Sequence, residues 1–224
     1  MKAALPYLFL ALLVIATVLA GRTGQDFLRR QPRPVVAALP AIPFLEVVSL
    51  GYREAAADLA WMQAVQYYGQ HRQGGNDLSE FGHYLQAVNT LDPHYEHAYV
   101  LGSVVLATDG NNLPAALEVL RRGAQQNPDS GALPFEMGFL SYVVGDDSDA
   151  ALRYFRLASQ DPRQQERAQR FQAFLSRKLG RLETAYLLWK DLSEHTDNAS
   201  LRIVAQESVR RLEAEMRQRG QVPP

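Results

Sequence analysis

The sequence predicts an all-α protein: an N-terminal membrane helix, then an α-α superhelical solenoid of about four helical hairpins closed by a C-terminal capping helix. Three observations predict it. Asp92-Pro93, Asn127-Pro128 and Asp161-Pro162 place their prolines 35 and 34 residues apart, each closing one apolar helical stretch and preceding another. Between them, apolar residues fall at helical spacings of three and four. The chain also opens on an uncharged run from Ala3 to Gly21. A hairpin of this length cannot bury its own apolar face. It must stack on its neighbours, and the stack leaves a long wall suited to holding another protein.

Composition narrows the function classes. The 224 residues are 47% apolar and 21% charged, ordinary for a globular chain. A formal net charge of −1 gives no global field toward nucleic acid or an anionic surface. With no cysteine, the chain has no disulfide, thiolate nucleophile or Fe–S ligation, and it lacks the commonest structural zinc ligands.

Each element follows from its residues. The run at 3–21 makes a helix of roughly 28 Å at a rise of about 1.5 Å per residue, enough to cross a bilayer core. A cleaved secretory signal is the competing reading, since Val18-Leu19-Ala20 offers small or modest residues for cleavage. Arg22 stands where a lipoprotein signal needs its cysteine. Arg22, Arg29, Arg30 and Arg33 pull the body of the protein toward the cytoplasm. Pro32, Pro34, Pro40 and Pro43 then predict an extended tether over 22–48.

Hairpins are expected over 49–195. Ala57, Trp61, Ala64, Val65 and Tyr68 form the first apolar face. After the Gly74-Gly75 break, Phe81, Tyr84, Leu85 and Val88 form the second. Ala98, Leu101, Gly102 and Val105 begin the next hairpin. Its turn is Asp109 to Asn112, and Ala116, Leu120 and Gly123 complete it. Asn112 suits an N-cap, and Pro114 a first helical turn. Met137, Gly138 and Tyr142 precede a turn at Gly145 to Asp147, followed by Ala150, Tyr154 and Ala158. Ala173, the turn Leu179-Gly180-Arg181, then Ala185 and Trp189 make the fourth hairpin. A polar helix from about Asn198 to Arg219, with Leu201, Val204, Val209, Leu212 and Met216 on one side, is expected to cap the stack within 196–224.

At these positions the chain resembles the tetratricopeptide repeat family. Gly102, Ala116, Leu120 and Pro128 match its pattern. So do Gly138, Gly145, Ala150, Tyr154 and Pro162, and then Ala173, Gly180, Ala185 and Trp189. Ala98, Pro134 and Gln169 replace the aromatic that the family places early in its first helix. The stretch from Ser49 through Trp61 to Gly69 is similar to the opening of a group of bacterial membrane-anchored repeat proteins. That likeness implies a bacterial envelope context; the resemblance of the N-terminal run to a bacterial signal-anchor implies a single-pass protein of the cytoplasmic membrane with the repeats on the extracytoplasmic side, against the pull of the arginines.

The family implies a concave groove. Carried over, its positions are Glu96, Tyr99, Ser103 and Leu106; Ala132, Phe135, Phe139 and Tyr142; and Arg167, Arg170, Phe174 and Arg177. Aromatic and arginine side chains dominate interface energetics, so an extended or helical peptide with apolar anchors and an acidic end would suit this groove. Packing of the phenylalanines between hairpins is the competing reading.

His94 and His97 stand three apart without a third ligand nearby, so no metal site is expected. Asp58 sits in an apolar segment and would need a cation or hydroxyl partner if buried. No hydrolase, P-loop, metalloprotease or dinucleotide motif is present. The basic stretch from Arg163 to Lys178 is diluted by Asp161, Glu166 and Glu183.

The resulting expectation is a non-catalytic, membrane-tethered adaptor. It would use no cofactor, nucleic acid or small-molecule substrate, and would hold a protein partner in an envelope or membrane assembly such as a pilus, secretion or respiratory machine. The alternative is an integral accessory subunit of a membrane enzyme complex, held through the helix at 3–21.

Overall fold

The computed structural model describes residues 49–74 and 77–223, all within one compact unit that extends over Ala38–Pro224. The expected membrane helix and tether lie outside the described residues, as do Gly75 and Asn76 of the first turn. Among the described residues, no helix is long and apolar enough to cross a membrane.

Those residues are all-α, with nine helices and no strand. In chain order they are α1 (Arg53–Arg72), α2 (Phe81–Leu91), α3 (Glu96–Thr108), α4 (Leu113–Gln126), α5 (Ala132–Val143), α6 (Ser148–Ala158), α7 (Gln165–Lys178), α8 (Leu182–His195) and α9 (Ala199–Gln218). Starts and stops have local causes. The side chains of Asn112, Asp147 and Asn198 accept hydrogen bonds from the amides of Ala115, Ala150 and Leu201 at 3.1, 2.8 and 3.1 Å. Each supplies a partner that a first-turn amide otherwise lacks. At the other ends, Asp92 and Asn127 leave helical backbone angles one residue before Pro93 and Pro128, as the proline ring requires.

The helices pack mainly on their chain neighbours: α1 on α2, α3 on α4, α5 on α6, α7 on α8, and α9 on α8. Successive pairs join through α2–α3, α4–α5, α6–α7 and α3–α5. The apolar interior straddles these pairs. Tyr99, Leu120, Leu133 and Leu140 form one cluster from α3, α4 and α5. Phe135, Phe155, Ala168 and Leu175 form the next from α5, α6 and α7. Leu182, Tyr186, Leu212 and Met216 close α8 against α9.

Ala57 and Ala64, Ala158, and Leu201, Leu212 and Met216 are buried as expected, but other positions of the same three stripes are displaced by one residue, about 100° around a helix. Tyr67 rather than Tyr68 is fully inside α1; Ala151 and Phe155, rather than Ala150 and Tyr154, face inward on α6; and Ala205 replaces Val204 on α9. In each case neighbouring apolar or small residues offered two faces, and the tertiary contacts selected one.

Polar latches tie the hairpin junctions together with the period of the sequence. Asn127 Nδ2 donates to the Pro93 carbonyl at 3.1 Å, Ser130 Oγ to Glu96 Oε2 at 2.8 Å, and Arg163 Nη2 to the Asp129 carbonyl at 3.4 Å, each across 34 residues. His94 Nδ1 lies 3.1 Å from Asn127 Oδ1. Asp161 is the most heavily bonded of these groups. Its carboxylate accepts from the Gly131 amide at 2.9 Å and from the Arg163 amide and guanidinium at 2.9–3.2 Å. The Arg163 guanidinium, then these amides, hold its pKa down at about 2.

Candidate partner-binding surface

The residues expected to line one groove divide between interior and surface. Tyr99, Ser103 and Phe135 are buried, at 2%, 0% and 1% exposure. Tyr99 turns toward α4. A Cβ built on Gly123 would come within 2.7 Å of its ring, so only glycine admits this close approach. Ser103 Oγ donates back to the Val100 carbonyl at 2.7 Å. Leu106 is half-buried against the same cluster as Tyr99.

Phe135 is enclosed by rings. Phe155 and Phe171 stand edge-on to it at 5.1 and 5.4 Å between centroids, and the Arg167 guanidinium carbon lies 3.8 Å above its face. Arg167 therefore covers the aromatic core while remaining exposed itself. The contact is a cation–π interaction.

Phe139, Tyr142, Arg170, Phe174 and Arg177 lie closer to solvent. Phe139 and Tyr142 of α5 are half-buried, and Phe174 of α7 is 49% exposed. Tyr142 and Phe174 meet edge to face at 5.9 Å, and Phe139 meets Phe171 at 6.2 Å. Val143 extends the apolar strip and is exposed. Basic groups surround it. Arg170 is exposed, Lys178 Nζ lies 4.8 Å from the Tyr142 ring centre, and Arg177 Nε donates to Glu215 Oε2 at 3.0 Å. Glu136, half-buried on α5, has its carboxyl pKa pushed up by burial and opposed by nearby Arg167. The strip combines apolar ring faces with cationic rims on two successive hairpins.

Phe171, Val143 and Lys178 are members that the family positions missed. Phe171 was visible in the sequence as an aromatic three residues before Phe174, but its role depends on the neighbouring rings of α5 and α6.

Two clefts lie on another aspect of the array. One of about 580 Å³ runs between α2 and α4, with Leu85, Tyr99, Leu106 and Val119 among its lining. Another of about 620 Å³ runs between α4 and α6, with Pro134, Met137, Tyr154 and Leu157 in its wall. Tyr99 and Leu106 thus belong with the α2–α4 cleft rather than with the strip on α5 and α7.

Asp58 is exposed, so the burial that would have demanded a partner does not arise. His97 is exposed, and His94 is engaged by Asn127. Among the described residues, no group of three or more His, Cys, Asp or Glu is placed to hold a metal ion. No family model matches the chain, and no curated protein matches it.

Proposed function

We propose that this chain is a non-catalytic adaptor: a tetratricopeptide-like array of about four hairpins, tethered to a bacterial membrane through residues 3–21, that presents a docking strip to a protein partner. The supporting observation is the partly exposed aromatic and cationic strip formed by Phe139, Tyr142 and Phe174 with Arg170 and Lys178. Ring faces flanked by guanidinium and ammonium groups suit a segment with apolar anchors and nearby carboxylates. Nothing in the strip pairs a nucleophile with a base, so the reading needs no chemistry from it.

The test begins with crosslinking in the native membrane and identification of the captured protein. The double variant Phe139→Ala with Arg170→Glu is then measured against that protein. A fall in affinity of at least about tenfold is expected, since one buried aromatic anchor and one reversed charge together exceed about 1.4 kcal/mol. Unchanged affinity refutes the placement of the site. Exchange of residues 3–20 for an unrelated membrane helix separates the adaptor from the accessory-subunit reading: the adaptor keeps its partner and the accessory subunit loses it.

A further inference from the structure

Successive hairpins build two equivalent clefts that differ at two matched places. The α2–α4 cleft, of about 580 Å³, has Asn89 and Arg122 in its lining; the α4–α6 cleft, of about 620 Å³, has Ala124 and Leu157. Asn89 stands four residues before Pro93, and Ala124 four before Pro128. Arg122 stands ten residues after the capping Asn112, and Leu157 ten after the capping Asp147. One cleft therefore carries polar groups where its neighbour is apolar.

The asparagine is unfavourable there in the free protein. Its Oδ1 is shut off from solvent and has no hydrogen-bond partner among the described residues. An acceptor left in that state costs free energy that an alanine, present in the next hairpin, avoids. A donor brought in from outside removes the cost. Arg122 adds a charge beside it. Its Nε donates to Glu118 Oε1 at 2.9 Å, yet its side chain is 61% exposed. Arg121 holds the same Glu118 through two bonds of 2.8 Å, so that carboxylate does not depend on Arg122.

The shape of the cleft selects the occupant. On α4 its lining extends from Ala115 to Gln126, an interval of eleven residues. That is about 16 Å of helix. About five residues of extended chain span the same length. Leu85, Leu106 and Val119 in the lining suit apolar side chains. An extended backbone presents both N–H and C=O groups, as the amide of Asn89 requires.

We propose that the α2–α4 cleft is a second binding site, for an extended acidic peptide. A backbone N–H of the peptide donates to Asn89 Oδ1, an Asp or Glu carboxylate pairs with Arg122, and an apolar side chain rests on Leu85, Leu106 and Val119. The α4–α6 cleft, with Ala124 and Leu157 at the matched places, does not take this ligand. The site is separate from the strip on α5 and α7 and does not depend on it.

The test uses the full-length chain in detergent and a fluorescent, N-acetylated, C-amidated probe peptide, Ala-Leu-Asp-Leu-Ala, followed by anisotropy. Saturable binding is expected. The double variant Asn89→Ala with Arg122→Leu, which copies the α4–α6 cleft, should weaken it at least about tenfold, and asparagine in place of the probe's aspartate at least about fivefold. Phe139→Ala should leave it unchanged, which tells this site from the strip. Absence of saturable binding, or binding that the double variant does not reduce, overturns the proposal. So does competition by N-acetyl-leucine with no binding of the blocked peptide, which assigns the cleft to a small molecule. A second measurement needs no peptide. In chemical denaturation, Asn89→Ala should leave the midpoint unchanged or raise it, since the free protein gives that oxygen no partner. A lowered midpoint shows that Asn89 serves the fold and overturns the proposal.

Discussion

Helices α3 and α7 occupy the same place in hairpins two apart, yet they present opposite surfaces. At the positions expected to face a partner, α3 supplies Tyr99 and Ser103, both buried, whereas α7 supplies Arg167, Arg170, Phe174 and Arg177, all exposed. Around α3, Gly123 admits the Tyr99 ring between helices and the latch Ser130–Glu96 draws in the next hairpin. Around α7, the interior is already filled by Phe135, Phe155 and Phe171, and the remaining ring and the arginines point outward. A repeat position is thus a place on a helix, and its role is set by the volume its neighbours leave. In this array the exposed aromatic and cationic side chains lie toward α5 and α7.

The contrast can be broken most forcefully at Phe135. Phe135→Ala should lower unfolding free energy by about 3–5 kcal/mol in chemical denaturation, because it empties a fully enclosed aromatic site. Phe174→Ala, a change of the same chemistry on the exposed strip, should stay within about 0.5 kcal/mol, to be read in the same titration. Equal losses at the two sites would show that burial does not distinguish them.

Next in size is the cap of α4. Asn112→Ala removes the acceptor for the Ala115 amide and should cost about 1 kcal/mol, with Asn112→Asp recovering most of it. Asp161 sharpens the comparison through pH. Its folded pKa, about 2, lies below its ordinary value of 3.8, so its stabilising contribution is complete above the ordinary value and is lost as pH falls through about 2. The stability difference between wild type and Asp161→Asn, measured by urea midpoints, should therefore shrink between pH 5 and pH 2. A difference that stays constant over that range would remove Asp161 as the source.

Much of the fold was legible because its signals are local. Asn112 and Asn198 announced helix starts, Asp92-Pro93 and Asn127-Pro128 announced stops, and Phe81, Tyr84, Leu85 and Val88 gave a single unambiguous face. Legibility failed where apolar residues adjoin. Tyr67 and Tyr68, Ala150 and Ala151, and Val204 and Ala205 differ by one step of helix rotation, and only contacts with distant segments choose between them. The same limit affected the candidate surface. The sequence named Phe139, Tyr142, Phe174 and the arginines, but Tyr99 and Phe135 carry the same residue chemistry and differ only in what surrounds them.

The shared interior has a practical consequence. Because Tyr99, Leu120 and Leu133 belong to one cluster and Phe135, Phe155 and Leu175 to the next, a cut at Pro128 or Pro162 would strip the greasy surface of two fragments at once. Neither Pro-marked junction is a seam where this protein can be divided for expression, and pieces made there should stick to one another or precipitate.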